Sequence, residues 1–216
     1  MSEPTGMRRV GIVGYGHLGN FLLGSSGQTE GRSLGLTFSL RLWNRSFEKL
    51  IIGNVSFIII FFNLFSFNRK SDLIVEVAHP QIAKDYGTAF LTHSNFMIGS
   101  PTALADSDLE TRLRETAKHH GNTLYVPSGA FWGGEDIQKM ADAGTLKVCI
   151  SLLTDWHVVL VEVTGPEFEG SGRSFTVKTE RRNPAKLGAV TGNATYQSFW
   201  SSVLVCQGHG GKVHLC

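Results

Sequence analysis

The sequence predicts an α/β protein whose first part forms a parallel sheet flanked by helices. Short apolar runs alternate with segments of helical periodicity up to residue 144, a pattern typical of successive βαβ units. A glycine-rich turn follows directly after the first apolar run. Beyond residue 147 apolar and polar residues alternate instead, which predicts a second, smaller α+β domain.

The strands of the first part are predicted from short apolar or alternating runs, at residues 9–13, 36–43, 73–78, 96–99 and 123–126. Helices are predicted between and after them, at residues 18–23, 80–93, 106–120 and 135–143. Asp106 is the expected acidic cap of one helix, and Gly144 is expected to end another. The strand at 73–78 is a nearly continuous apolar run, so we expect it to be buried on two faces.

The second part is predicted to be rich in β-structure. Strands are expected at 158–164 and 174–179, and a helix at 194–206. The glycine-rich residues 207–212 are expected to form a loose tail. We therefore predict a first domain over 1–146 and a second over 147–216.

Composition excludes several classes of protein. The chain has 216 residues, is 42% hydrophobic and carries a formal net charge of +2 without basic clusters, so nucleic-acid binding is disfavoured. Three cysteines without a CxxC pair indicate a reducing compartment. Residues 1–9 lack the apolar core of a signal peptide. These features predict a cytoplasmic protein.

An apolar run at 50–67 contains no charged residue and approaches the length that crosses a bilayer. Polar residues interrupt the run, and it lies between two predicted strands of one sheet. We interpret 51–70 as an atypical buried or disordered insertion. A peripheral or anchored membrane segment is the alternative.

The glycine-rich turn is the most informative motif. It follows a predicted strand, opens a helix and has the pattern GxGxxG, the context expected of a dinucleotide-binding Rossmann-type domain. The first glycine permits the turn, the second lets a pyrophosphate approach the backbone, and the third allows close packing of helix on strand. We predict that NAD or NADP binds at Gly14, Tyr15, Gly16, His17, Leu18 and Gly19.

The tip of the second predicted strand bears on the choice of cofactor. Domains that prefer NAD usually carry an acidic residue there, which binds the ribose 2′-hydroxyl. This chain has Asn44 followed by Arg45, so a 2′-phosphate meets no negative charge and gains a cationic partner. NADP should therefore be tolerated or preferred, with a merely solvated Arg45 as the alternative.

Recognisable motifs occur along most of the chain, in the segments 10–19, 43–45, 72–80, 99–104, 128–137, 154–159, 172–175, 183–185, 188–192 and 213–216. Together these segments resemble the L-aspartate dehydrogenase family. The resemblance implies oxidative deamination of L-aspartate to iminosuccinate, which yields oxaloacetate and ammonia or enters nicotinamide-cofactor synthesis. It also implies a homodimer, since the family tends toward that assembly.

The resemblance also assigns roles to individual residues. His157 matches the family's catalytic histidine, and imidazole is suited to proton transfers near neutral pH. Ala130 is expected on the nicotinamide side of the cofactor. Three residues at or beyond strand ends are expected to line the cofactor cleft, namely Ala78, His79 and Ser100. No metal site is predicted, because the pair His119 and His120 lacks ligand spacing.

Two departures separate the chain from this family. Residues 51–70 have no counterpart, and the chain passes from Lys147 to Val148 where the family has a long central section of the substrate domain. We therefore expect a variant with a truncated substrate domain. Arg173 is the best candidate for a substrate carboxylate, assigned by charge alone. A catalytically impaired protein that still binds NADP(H) is the alternative function.

Overall fold

The computed structural model describes residues 8–28, 38–43, 59–60, 71–128, 156–184 and 193–216. The chain divides into two compact units. The first comprises 1–127 with 200–214 and 216, and the second comprises 128–199 and 215. The predicted domain boundary at 146 lies outside the described residues.

The described strands are β1 (Arg8–Val13), β2 (Phe38–Trp43), β3 (Ile59–Ile60), β4 (Leu73–Glu76), β5 (Asn95–Ile98), β6 (Leu124–Val126), β7 (Trp156–Glu167), β8 (Ser174–Pro184) and β9 (Val213–Leu215). The described α-helices are α1 (His17–Gln28), α2 (Pro80–His93), α3 (Ser107–His120) and α4 (Asn193–Val205). A short 3₁₀ helix covers Pro101–Ala105.

Among the described residues, the first unit is built around one seven-stranded sheet. Its strands lie in the order β3-β2-β1-β4-β5-β6-β9, and every neighbouring pair from β3 to β6 is parallel. Strands β2 and β3 are therefore added on one side of β1, and β4 to β6 on the other. Sheets of this kind bind ligands at the carboxyl ends of the strands where this change of side occurs. The predicted Rossmann-type parallel sheet is confirmed.

Helix α2 begins where the sequence predicts, for a local reason. His79 is its N-cap and accepts a hydrogen bond at Nδ1 from the Gln81 amide, 3.1 Å away. Pro80 occupies the first helical position, where its missing N–H costs nothing. The helix ends at Ser94, whose hydroxyl donates to the Ser71 carbonyl at 2.8 Å.

Helix α3 is capped at both ends. The Asp106 carboxylate accepts a hydrogen bond from the Leu109 amide at 3.2 Å, as the predicted acidic cap requires. Lys118, His119 and His120 lie in the last turn. A cation such as that of Lys118 is stabilised there by the negative end of the helix dipole. Gly121 ends the helix in the left-handed conformation, with φ of 69°.

The core lies between the sheet and helices α2 and α3. Phe90 of α2 contacts Phe96 of β5 with ring centroids 5.2 Å apart, and Leu113 of α3 is fully buried in the same cluster. Burial of each such side chain contributes roughly 1.5–3 kcal/mol. All four residues of β4 are buried, as predicted for a strand covered on both faces.

The glycine-rich residues 207–212 do not form the loose tail that the sequence suggested. The Tyr125 hydroxyl lies 2.7 Å from Nδ1 of His209 and accepts a hydrogen bond from the Gly208 amide at 2.8 Å. The Thr123 hydroxyl donates to the Gly210 carbonyl, also at 2.8 Å. These contacts hold residues 207–212 against β6, and the chain then continues into β9. The sequence did not predict them because they join residues that only the folded chain brings together.

Part of the apolar run also enters the sheet. Ile59 and Ile60 pair in parallel with β2 and form the outermost strand on that side. These two residues of the interval 51–70 thus form a strand of the sheet, while the rest of the interval lies outside the described residues. No helix in the described ranges is long and apolar enough to cross a membrane.

The second unit contains a long antiparallel hairpin of β7 and β8. Val158, Val161 and Val163 are buried along β7. The register of the pair shifts between Thr164 and Glu167. Both strands extend beyond the predicted limits, and the predicted strand content of this region is observed.

Candidate functional site

The candidate site lies at the carboxyl ends of β1, β4 and β5. Strand β1 ends at Val13, and α1 begins at His17. The Asn20 amide donates to the Gly16 carbonyl at 3.0 Å, which closes the first turn of the helix. The amides that precede Asn20 in this turn have no acceptor within the helix, so this end of α1 can receive an anion.

The three glycines of the turn meet different demands. Gly14 has φ of +109°, and a Cβ placed on it would lie 2.8 Å from the Cα of Ala78. A Cβ on Gly19 would collide with the carbonyl oxygen of Gly14. Packing within the protein thus requires glycine at both positions.

Gly16 differs from the other two glycines. It is exposed, and a Cβ placed on it would meet nothing within 4 Å. Packing therefore does not explain a glycine here. An open backbone beside the start of a helix does fit the close approach of a pyrophosphate.

Glu76 is the central polar residue of this edge, and sequence reasoning did not include it in the site. It ends β4 and is fully buried. Oε1 accepts hydrogen bonds from the amides of Ala78 at 2.7 Å and His79 at 2.8 Å. Oε2 accepts from the Ser100 amide at 3.0 Å, and the Ser100 hydroxyl donates to Oε1 at 3.2 Å.

The electrostatics of Glu76 follow from these surroundings. Burial raises the pKa of its carboxyl above the usual glutamate value, while the hydrogen bonds from Ala78, His79 and Ser100 oppose that rise. A carboxylate without its hydrogen-bond donors would be costly to bury. The signal available in the sequence was a single acidic residue inside an otherwise apolar, doubly buried strand.

The structure brings most of the predicted cofactor residues of this unit to one edge. Tyr15 and Leu18 are partly buried and His17 is exposed, all within or next to the glycine turn. Ala78 and His79 follow β4, and Ser100 follows β5. His79 also serves as a helix cap, because its Nδ1 is bonded to the backbone.

Three predicted cofactor residues, Asn44, Arg45 and Ala130, lie outside the described residues. His157 is the second residue of β7 and pairs in register with Asn183 of β8. Arg173 is exposed just before β8, and its carbonyl accepts a hydrogen bond from the Phe168 amide at 2.8 Å. Both residues belong to the second unit.

In the described part of the chain, no group of three or more His, Cys, Asp or Glu side chains is placed so that it could hold a metal ion. His119 and His120 contact each other edge to face at the exposed end of α3.

A family model described as the NAD binding domain of homoserine dehydrogenase matches residues 54–127. The match covers β3 to β6 and includes both segments that form hydrogen bonds with Glu76. The match begins inside the apolar run at 50–67, a region for which we expected no counterpart in the L-aspartate dehydrogenase family. The chain thus carries an NAD-binding domain.

Sequence similarity to two relatives extends over most of the chain. The aspartate dehydrogenase domain-containing protein of Danio rerio is 43% identical over 279 residues, covering 96% of this chain and 98% of the relative. The L-aspartate dehydrogenase of Archaeoglobus fulgidus is 30% identical, covering 78% of this chain and 65% of that protein.

A solved structure shares the fold. The aspartate dehydrogenase of Thermotoga maritima superimposes with a TM-score of 0.50 at 22% identity, covering 63% of this chain and 52% of that one. At this identity the likeness concerns the fold alone.

Proposed function

This chain belongs to the family of aspartate dehydrogenase domain-containing proteins, and on that basis we propose that it is an NAD(P)-dependent L-aspartate dehydrogenase. The proposed reaction oxidises L-aspartate to iminosuccinate, which water converts to oxaloacetate and ammonia. The observation that carries the proposal is the exposed Gly16 just before α1. The packing of the protein does not require a glycine at this position, because a Cβ there would meet no other atom within 4 Å.

The glycine turn is the proposed site of the dinucleotide pyrophosphate. The amides of the first turn of α1 provide hydrogen-bond donors and the positive end of the helix dipole. Ala78, His79 and Ser100 line the adjoining edge. When bound, NAD(P)+ supplies the hydride acceptor for the Cα–H bond of aspartate.

Preference for NADP is a further part of the proposal. Asn44 followed by Arg45 provides a cation and no carboxylate at the position where the ribose 2′-substituent is read. Replacement of Arg45 by Asp should therefore shift the ratio of affinities toward NAD, as measured by titration with both reduced cofactors.

His157 is the proposed proton-transfer residue. Water must add to the imine and ammonia must leave, and both steps move protons near neutral pH, where imidazole can donate and accept them. Arg173 is proposed to bind a substrate carboxylate, because guanidinium groups pair with carboxylates in bidentate geometry. The product of such a reaction could supply nicotinamide-cofactor synthesis.

A second function, dinucleotide binding without turnover, is favoured by one observation. The alignment with the Danio rerio relative extends over 279 residues, more than the 216 that this chain contains. The relative therefore carries residues that this chain lacks. If they complete the substrate site, the chain binds NADP(H) but reacts slowly or not at all.

The test combines a binding and a turnover measurement. NADPH is titrated by fluorescence, and its oxidation is then followed with oxaloacetate and ammonium for three proteins: this chain, its His157→Ala variant, and a version with the relative's additional residues inserted. His120→Ala, which changes an exposed histidine at the end of α3, is the matched control.

We expect this chain to bind NADPH and, like the extended version, to oxidise it in the presence of oxaloacetate and ammonium. Loss of turnover in His157→Ala, with NADPH affinity and the control unchanged, would support the role of that histidine. If this chain binds NADPH without turnover while the extended version turns over, the second function, dinucleotide binding without catalysis, is the correct one. Absence of NADPH binding in every version would overturn both functions.

A further inference from the structure

Glu76 is unusual because a fully buried carboxyl ends a strand whose other residues are apolar. The four hydrogen bonds that it accepts come from neutral N–H and O–H groups. A buried carboxylate is costly unless its acceptors are satisfied. An apolar residue of similar size would fill this strand position at lower cost, so packing alone does not explain a glutamate.

The donors to Glu76 come from two different segments. The amides of Ala78 and His79 belong to the chain that leaves β4, and Ser100 belongs to the chain that leaves β5. The Gly99 amide adds a bond at 2.8 Å to the Glu76 carbonyl. One residue thus ties together the ends of two neighbouring strands on the edge that carries the candidate site.

The link continues to the glycine turn. The backbone of Ala78 lies so close to Gly14 that a Cβ on Gly14 would be 2.8 Å away. The Val77 amide also donates to the Val13 carbonyl at 2.8 Å. The position of the segment after β4, which Glu76 holds, therefore bounds the turn that follows β1.

We infer that Glu76 is a positioning residue for the dinucleotide: its carboxylate fixes the segments after β4 and β5 at the spacing that the bound cofactor requires. This inference rests on the proposed function and extends it to a residue that need not contact the cofactor. A neutral amide cannot replace the carboxylate fully, because its NH₂ group would face donors where the carboxylate offers only acceptors.

The experiment compares NADPH dissociation constants for the whole chain and for Glu76→Gln, Ser100→Ala and the double variant. Glu115→Gln makes the same chemical change at an exposed position of α3 and is the matched control. Hydrogen exchange at the amides of Ala78, His79 and Ser100 is measured without cofactor. It reports how firmly the two segments are held, independently of binding.

We expect Glu76→Gln to weaken NADPH binding about tenfold or more, the change that loss of a buried hydrogen bond can produce. Exchange at the Ala78 and His79 amides should accelerate. Ser100→Ala should have a smaller effect, and the double variant should lose less NADPH affinity than the sum of the two single losses predicts. Such non-additivity is the signature of residues that act through one contact, and a general loss of stability would not produce it.

Each remaining outcome is decisive. If the unaltered chain binds NADPH and Glu76→Gln binds equally well, the inference fails and the proposed function stands. If the unaltered chain binds no dinucleotide, both fail together. If Glu76→Gln does not fold, Ser100→Ala decides the question, since it removes one hydroxyl and keeps the Ser100 amide bond; unchanged binding in that variant would overturn the inference.

Discussion

Gly14 lies against Ala78 so closely that the two strand ends leave no room for a side chain between them. A Cβ on Gly14 would be 2.8 Å from the Cα, the Cβ and the amide nitrogen of Ala78. The φ of +109° at Gly14 is in addition rarely adopted by L-residues. The turn after β1 and the segment after β4 therefore depend on each other.

Replacement of Gly14 by alanine should destabilise the protein by about 2 kcal/mol or more, because strain in the backbone adds to the collision with Ala78. Denaturant unfolding measures the change. Gly24→Ala is the control, since Gly24 is exposed in α1 and a Cβ there meets nothing. That variant should gain roughly 0.5–1 kcal/mol from helix propensity. Equal effects at the two sites would contradict this account.

Replacement of Gly16 by alanine should separate binding from stability. Open space surrounds a Cβ at this position, so the free energy of unfolding should change by less than about 0.5 kcal/mol. NADPH affinity should fall at least about tenfold, because the methyl group would occupy the approach to the helix amides. Fluorescence titration and thermal unfolding test the two parts. A loss of stability without a loss of affinity would refute the prediction.

Asp106 should make stability depend on acid pH. Its hydrogen bond from the Leu109 amide, and then its contact with Lys84, hold the pKa of this carboxyl below the ordinary value of 3.8. The folded state therefore favours the ionised form. The stabilisation is present above that value and is lost as the pH falls through the lower pKa of the folded state.

The variant Asp106→Asn keeps a side-chain oxygen for the cap but does not titrate. The difference in melting temperature between the unaltered chain and this variant should shrink as the pH is lowered from about 6 to about 2.5. Thermal unfolding followed by circular dichroism measures it. A difference that stays constant over this range would show that the charge of Asp106 does not contribute.

Tyr125 should anchor the C-terminal residues to the sheet. Its hydroxyl contacts His209 and accepts from Gly208, and its ring is fully buried. Tyr125→Phe leaves these partners unsatisfied and should cost about 1–3 kcal/mol. Hydrogen exchange at Gly208 and His209 should accelerate at the same time.

The control for this prediction is Tyr86→Phe, which removes a hydroxyl from a partly buried tyrosine that stacks on Phe90. We expect a smaller loss of stability and unchanged exchange in the C-terminal residues. Similar exchange rates in both variants would argue against an anchoring role for the Tyr125 hydroxyl.

Sequence by itself determined the features that depend on neighbouring residues. Helix α2 has the limits that its pattern predicts, because His79 and Pro80 form its cap within the same segment. The glycine turn was recognisable for the same reason, since strand, turn and helix are consecutive. Because these interactions join residues that are close in sequence, they can be predicted before the fold is known.

Only the tertiary structure decided which distant segments meet. Glu76 and Ser100 are 24 positions apart, and Tyr125 and His209 are 84 apart. Nothing in the local pattern identifies such partners, because the pairing depends on the order of strands in the sheet and on which loops that order places side by side. The role of Glu76 and the docking of the C-terminal residues therefore emerged from the fold.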